Sequence, residues 1–512
     1  MTMLTLLKEL GLSDSDDGVT TVPAETLRDR VLEITARGYP LVLMYATDER
    51  HAGRAFHVHA VFSIQKVGFL TLRTDLDRSV PRYPSVTHSV MAAHWYERQI
   101  FDQFGIVPEG HPDLRRLMHH ENIPEGTHPM RKDFAWDTKL AHASVPFPMH
   151  RVEGKGIYEI PVGPIHAGII EPGHFRFNVR GERILSLEGK LFFKHKGVEK
   201  LVEGKTPQEA LQFVERVSGD MVVGHTLTYV QAIEAATGTE VSERARFLRT
   251  IYSELERITM HTFDIGNIAG MGTGFTFMAA QCFRLVEKLR RLNETLVGHR
   301  YLRGAVILGG AHNIHKENIE LIRTTLATLE RELEGIIQIA YASDGLMERF
   351  DMTGILTEEA ARAYGAQGVA ARASGVLIDA RVDHPYAAYP KMGVVVVTKS
   401  IGDVSARFRV RVKEFRESIR IIRAALDALP EGKCETTLVL KAGAAYGASE
   451  AWRGMVIDWV RLDEAGKIDR LVIRDPSFCN WPLFGELAPG NIVPDFPLCN
   501  KSLNLSYSGN DL

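Results

Sequence analysis

Two histidines, His166 and His174, fall on one Gly- and Pro-rich stretch, GPIHAGIIEPGHFRF at Gly163–Phe177. An imidazole there can give or take a proton near neutral pH, or simply hydrogen-bond backbone. Glu254, Arg257 and His261 recur at spacings of three and four, which on a helix makes one polar stripe and favours a ladder of charges within that helix. Asp379, Arg381, Asp383 and His384 crowd around HPYAAY in the pattern of a buried ionic network. Nearer the start, Glu97, Arg98, Asp102, Arg115, Arg116, Arg131 and Asp133 mix opposite charges densely. Such a set suits bidentate pairing that fixes a loop or docks a partner, and it holds no nucleophile, metal cluster or phosphate cradle. The four cysteines, Cys282, Cys434, Cys479 and Cys499, are too scattered for a disulfide framework or a closed metal site and read as buried apolar thiols.

The elements that must position these groups follow from hydrophobic period. A helix is expected over Ala24–Ala36, strands over Leu41–Ala46, His57–Ile64 and Phe69–Thr74, and a helix over Ser89–Phe104, which together make a small α+β unit spanning residues 1–134. Across 135–156 the period disappears and Pro146, Pro148 and Gly154 punctuate a polar linker. Residues 157–512 begin with a β region, Glu159–Phe192, and continue as long helices over Glu243–Asp264, Thr276–Gly298, Ile319–Ala342 and Val404–Ile422. A strand pair over Glu435–Lys441 and Met455–Arg461 precedes an irregular, Pro-rich end. The fold class is thus α+β, with a small α+β domain fused to a mainly helical one that has a β-rich entrance.

With 45% hydrophobic and 24% charged residues the 512-residue chain can bury several cores. A net charge of -3 gives no basis for binding nucleic acid. The first residues, Met1–Gly18, form a short amphipathic stretch ending in an acidic run, without the order of a secretory signal, and no window is apolar enough to span a bilayer. The chain is expected at the cytoplasmic face of a membrane, held there by partners.

Three blocks, WYERQIFDQFG at Trp95–Gly105, GHPDLRRL at Gly110–Leu117 and MRKDF at Met130–Phe134, resemble the 30-kilodalton-type subunit of respiratory complex I. From Pro161 onward the chain resembles the 49-kilodalton-type subunit and, equally, the large subunit of group 4 nickel-iron hydrogenases. The matching stretches include KHKGVEKL at Lys194–Leu201, RVSGDMVVGH at Arg216–His225 and GDVSARFRVRVKEFRESIRII at Gly402–Ile422. The small-then-large order resembles the fused subunits of formate hydrogenlyase.

The hydrogenase resemblance implies four thiolates around a nickel-iron centre, but Ser218, Met221, Ser477 and Asn480 occupy those positions. None of the four is an anionic donor near neutral pH, so no metal is expected. Around the vacated place His225, Glu199 and, in the turn EAWRG, Arg453 match family positions. The complex I resemblance implies a quinone head-group site in which His174, paired with Asp264, gives a proton, while Gly219 stands where that family has a tyrosine. The chain is therefore expected to be a peripheral-arm subunit that couples electron transfer to a quinone-like or other acceptor with ion translocation. His174 and Asp264 would be catalytic, and His166, Glu199, His225 and Arg453 would line the cavity. Quinone is the one cofactor considered for this chain; iron-sulfur clusters and any NAD belong to partners. Those partners are an iron-sulfur subunit of the small-hydrogenase type and membrane-arm ion-translocating subunits. A catalytically silent scaffold and an active hydrogenase are the competing readings.

Overall fold

The computed structural model describes residues 2–12, 19–166 and 170–512; the acidic run of the opening stretch and residues 167–169 of the GPIHAGIIEPGH motif lie outside them. A short helix α1 (Met3–Glu9) precedes a four-stranded sheet of β1 (Val19–Thr21), β2 (Leu41–Asp48), β3 (Phe56–Ile64) and β4 (Gly68–Leu76). The strand order is β1-β4-β3-β2, parallel between β1 and β4 and antiparallel elsewhere. Every residue of β2 and β3 is buried on both faces. On the covering side lie α2 (Ala24–Ala36), which buries Leu27, Val31 and Ile34, and α3 (His94–Phe104).

The dense charges of this region fix a loop. Glu97 accepts from the hydroxyls of Ser85 and Thr87 and from Val86 N, and Asp102 accepts from the backbone N–H groups of Leu117, Met118 and His119. Arg98 donates to the carbonyls of Arg115 and Arg116. Buried carboxylates persist here because each meets several donors.

Residues 135–156 contain no helix or strand. The chain then forms an antiparallel sheet of β5 (Ile157–Val162), β6 (His174–Arg180) and β7 (Arg183–Lys190). The helical body follows as α4 (Val222–Thr237), α5 (Glu243–Thr273), α6 (Thr276–Val297), α7 (Lys316–Tyr341) and α8 (Val404–Asp427). Helix α5 overruns the expected end at Asp264 by two turns and more, because Gly266 and Gly270 let it approach α6; a Cβ at either would lie 2.5 or 2.3 Å from Cys282 or Ala279. None of the helices among the described residues is long and apolar enough to cross a membrane.

One expected element is misplaced. Residues 435–441 hold only an isolated bridge from Gly310 to Glu435, and Val439 is largely exposed. The strand is instead β8 (Gly443–Ala451), paired with β9 (Gly454–Leu462) and then β10 (Ile468–Arg474). Its text, GAAYGASEA, has low β propensity, yet only small residues fit against α4: a Cβ at Gly447 would stand 2.1 Å from the Thr228 carbonyl oxygen. The Pro-rich end also folds into short helices, α9 (Pro476–Asn480), α10 (Phe496–Leu503) and α11 (Tyr507–Asp511).

Sheet β1–β4 is tied to the larger body. The Tyr45 and Tyr446 hydroxyls lie 3.1 Å apart, Arg461 pairs with Glu49, and His384 meets the Ser63 hydroxyl at 2.6 Å. Cys282, Cys479 and Cys499 are buried thiols as expected, whereas Cys434 is half-buried and donates to Asn313 Oδ1.

Candidate functional site

His225 sits in the first turn of α4, fully buried, and its Nε2–H donates to Asp475 Oδ2 at 2.9 Å. Asp475 caps α9 by accepting from Ser477 N. Burial pushes the Asp475 carboxyl up, but the His225 bond and the Arg453 charge outweigh it and hold the pKa below the ordinary value.

Arg453, in the tight turn between β8 and β9, grips Asp220 with both Nη atoms at 2.8 and 2.7 Å and donates from Nε to the Asn504 carbonyl. Gly454 makes that turn possible: its φ is +136°, and a Cβ there would come within 2.7 Å of Gly368 N. Glu199 accepts from Arg470 Nη1 at 3.0 Å and from Ile473 N at 2.9 Å. These partners hold Glu199, His225 and Arg453 in separate closed contacts.

Asp264 is fully buried on α5. Its oxygens are taken by Arg411 Nε of α8 at 2.6 Å and by Asn504 Nδ2 at 2.5 Å. No hydrogen bond links it to His174 among the described residues. The expected His174–Asp264 pair is therefore replaced by an arginine from the neighbouring helix, which neutralises the carboxylate more completely than an imidazole would. His174, half-buried at the start of β6, donates from Nδ1 to the Gly163 carbonyl at 3.2 Å, and its Nε2 lies 3.5 Å from Arg176 Nη2. His166, half-buried on the same hairpin, has its Nε2 buried and without a partner among the described residues.

The four thiolate-equivalent positions are taken up by the protein's own packing. Ser218 donates to Asp220 Oδ1 at 2.8 Å and lies 3.0 Å from the Ser506 hydroxyl; Ser477 Oγ accepts from Ser506 N at 3.0 Å. Asn480 exchanges two hydrogen bonds with the Gln367 backbone. Met221 is fully buried against Met260, Trp452 and Val456. Ser506 thus stands between the two serine positions, held further by Trp481 Nε1, which donates to its carbonyl. Gly509 packs on Asp475 so tightly that a Cβ would lie 2.2 Å from Oδ2. Neutral, mutually satisfied groups with a backbone segment among them do not fit a nickel-iron centre.

A second constellation was only partly legible in the sequence. Arg372, fully buried, bridges Glu414 at 2.7 Å and Glu450 at 2.6 Å, and His261 donates to Glu414 at 2.8 Å. Arg381 joins Glu254 and Asp379, and Tyr389 donates to Glu254 at 2.6 Å. Of the expected Glu254, Arg257, His261 ladder, the Glu254–Arg257 pair alone stays within the helix, at 3.2 Å; His261 reaches across to α8. Arg372 holds Glu414 well below the carboxylate range against the upward push of burial, while burial lowers His261 to about 4. Arg372, Arg411 and Asp220 were missed as site residues. Asp220 and Arg411 lie inside quoted motifs, but nothing local says which oppositely charged group each of the three meets.

The comparisons with known proteins agree with this layout. Residues 20–139 match the family of the respiratory-chain NADH dehydrogenase 30 Kd subunit, 272–441 that of the 49 Kd subunit, and 196–265 that of the nickel-dependent hydrogenases. Formate hydrogenlyase subunit 5 of Escherichia coli K12 is 32% identical over 486 residues, covering 92% of this chain and 84% of that one. The fused C/D polypeptide of the NADH-quinone oxidoreductase of Bacteroides thetaiotaomicron is 29% identical over 429 residues, covering 79% and 80%. Among solved structures, the archaeal membrane-bound sulfane sulfur reductase, a respiratory membrane complex, matches with a TM-score of 0.66 at 26% identity, over 70% of this chain and 99% of that one. The chain belongs to the family of fused 30-kilodalton/49-kilodalton complex I-type subunits, close to the large subunits of group 4 hydrogenases.

Proposed function

We propose that this member of the family is the large peripheral subunit of a membrane-bound, complex I-like oxidoreductase, coupling electron transfer to ion translocation without a nickel-iron centre of its own. The observation that carries the reading is the filled chamber: Ser218, Met221, Ser477 and Asn480 are engaged by the protein's own groups, with Ser506 between the serines. The ion-paired frame around that chamber, from Arg372 and Glu414 to Arg411 and Asp264, is intact and fully buried. Such a frame transmits displacement between helices because separating its charges carries a large penalty.

Electrons would come from an iron-sulfur partner subunit, and ions would move through membrane-arm partners. Any NAD would bind elsewhere in the complex. A quinone-like acceptor would meet the chain at the β5–β6 hairpin, where His166 and His174 are half-buried and Ile165 is exposed. A silent scaffold is favoured by one observation, the engagement of Asp264 by Arg411 in place of His174.

Elemental analysis of the purified native complex, with reduction of added quinone by wild type and His174→Ala, tests these readings. Stoichiometric nickel would sink the metal-free reading. In its absence, activity lost in the variant supports an acceptor site at the hairpin, and unchanged activity leaves the scaffold.

A further inference from the structure

A cleft of about 630 Å³ opens where the β3–β4 turn of the first sheet meets α4, α5 and β8 of the helical body. Among the described residues, none from the chamber or the β5–β6 hairpin lines it. That volume suits a cofactor-sized molecule. One wall is a row of rings: His384 stacks on Phe69 at 4.4 Å between centroids and 20° between planes, and Tyr446 follows Phe69 at 5.5 Å. The row is anchored at both ends, since His384 Nε2 meets the Ser63 hydroxyl at 2.6 Å and the Tyr446 hydroxyl lies 3.1 and 3.0 Å from those of Tyr45 and Thr71. All three rings are half-buried, so part of each still faces solvent. On α4, Gln231 spends its amide N–H groups on the carbonyls of Leu227 and Ala448, while its Oε1 accepts no hydrogen bond among the described residues.

The cleft also carries cations without matching anions. Lys66, on the β3–β4 turn, and Arg246, on α5, are exposed and form no side-chain hydrogen bond or ion pair among the described residues. The carboxylates nearby are committed: Glu234 to Arg249 and Gly309 N, Glu243 to Lys391, and Asp383, whose charge Lys66 reaches without pairing, to Asp379 N. Lys66 is held in place through its own backbone. Its φ is +61°, in the left-handed region that a side chain rarely takes, and its N–H donates to the Asp383 carbonyl at 2.6 Å. The larger body therefore fixes the turn that presents this cation. An aromatic wall, a free amide acceptor and two unpaired cations on different elements are the complement of a flat heterocycle that bears an amino group and a phosphate.

We propose that this cleft binds a nucleoside phosphate, with its base on the wall of His384, Phe69 and Tyr446, its amino group donating to Gln231 Oε1 and its phosphates held by Lys66 and Arg246. The site goes beyond the proposed function and does not depend on it. Because its walls come from the first sheet and from the helical body, a bound nucleotide would clamp the two together and raise the stability of the chain by mass action.

The test is isothermal titration calorimetry of the full chain with ADP, adenosine and inorganic pyrophosphate, repeated on Lys66→Met and Arg246→Met, with thermal unfolding measured alongside. Both side chains are exposed and unpaired among the described residues, so the melting temperature of each variant without ligand is expected to stay at the wild-type value. ADP is expected to bind the wild type with a micromolar Kd, and each variant to bind it about tenfold more weakly, the worth of one charge-assisted hydrogen bond. Adenosine and pyrophosphate, each carrying half of the recognised chemistry, are expected to bind at least about tenfold more weakly than ADP. No binding of ADP at millimolar concentration, pyrophosphate binding as tightly as ADP, or a Kd for ADP unchanged in both variants would each overturn the site and leave the proposed function standing.

Discussion

Arg411 Nε lies 2.6 Å from Asp264 Oδ2, and both side chains are almost completely out of water. Burial pushes the Asp264 carboxyl above its ordinary pKa while the Arg411 charge opposes it, so the pair is stable only as a pair. Arg411→Met is expected to destabilise the chain by about 3 to 5 kcal/mol, because it leaves an uncompensated buried carboxylate. Adding Asp264→Asn to it should recover part of that loss. Denaturant unfolding of the two variants checks this; equal stability would mean the ion pair contributes nothing.

Restoring the thiolates should not restore the metal. In a variant carrying Ser218→Cys, Met221→Cys, Ser477→Cys and Asn480→Cys, Ser506 still stands between two of the four positions and Gly509 still presses on Asp475. Elemental analysis is expected to find nickel far below stoichiometric. A full complement would show that residues 504–512 yield to a metal.

Acid should weaken the helical body through its buried histidines. Burial lowers His261 to about 4 and His384 to about 4, so each is neutral in the folded chain at a pH where the unfolded chain protonates it. A depressed histidine contributes stability that is fully present above about pH 6.5 and is lost as pH falls from there toward 4. For His261 the loss amounts to about 3 kcal/mol across that window. His261→Asn should flatten the pH dependence by about that much in urea unfolding at pH 7 and pH 4.5.

Asp102 should control the order of the loop it caps. Asp102→Ala strands the N–H groups of Leu117, Met118 and His119, at an expected cost of about 3 kcal/mol. Amide hydrogen exchange at these three residues should accelerate, while exchange at Leu117–His119 no faster than wild type would show that other acceptors hold the loop.

Much of the fold could be read from period alone. Helix α2 and the strands of the first sheet fall where the apolar runs and 3.6-residue patterns put them, since α2 has one face that must leave water and β2 and β3 are buried on both faces. Strand β8 could not, because its glycines and alanines are chosen for clearance against α4, a neighbour more than 200 positions away in the chain. The vacant thiolate positions were equally plain in the sequence, since the identity of a donor atom is a local property.

By itself the sequence determined which residue types stand at the four thiolate-equivalent positions, Ser218, Met221, Ser477 and Asn480, none of them a cysteine. Only the tertiary structure decided their partners. Asp264 meets Arg411 rather than His174, His261 reaches Glu414 rather than its own helix, and Tyr507 arrives beside His166 from far along the chain. The reason is physical: a buried charge or hydroxyl must be matched by whichever group packing brings within about 3 Å, and that neighbour is set by helix crossings and chain return, not by spacing along the sequence.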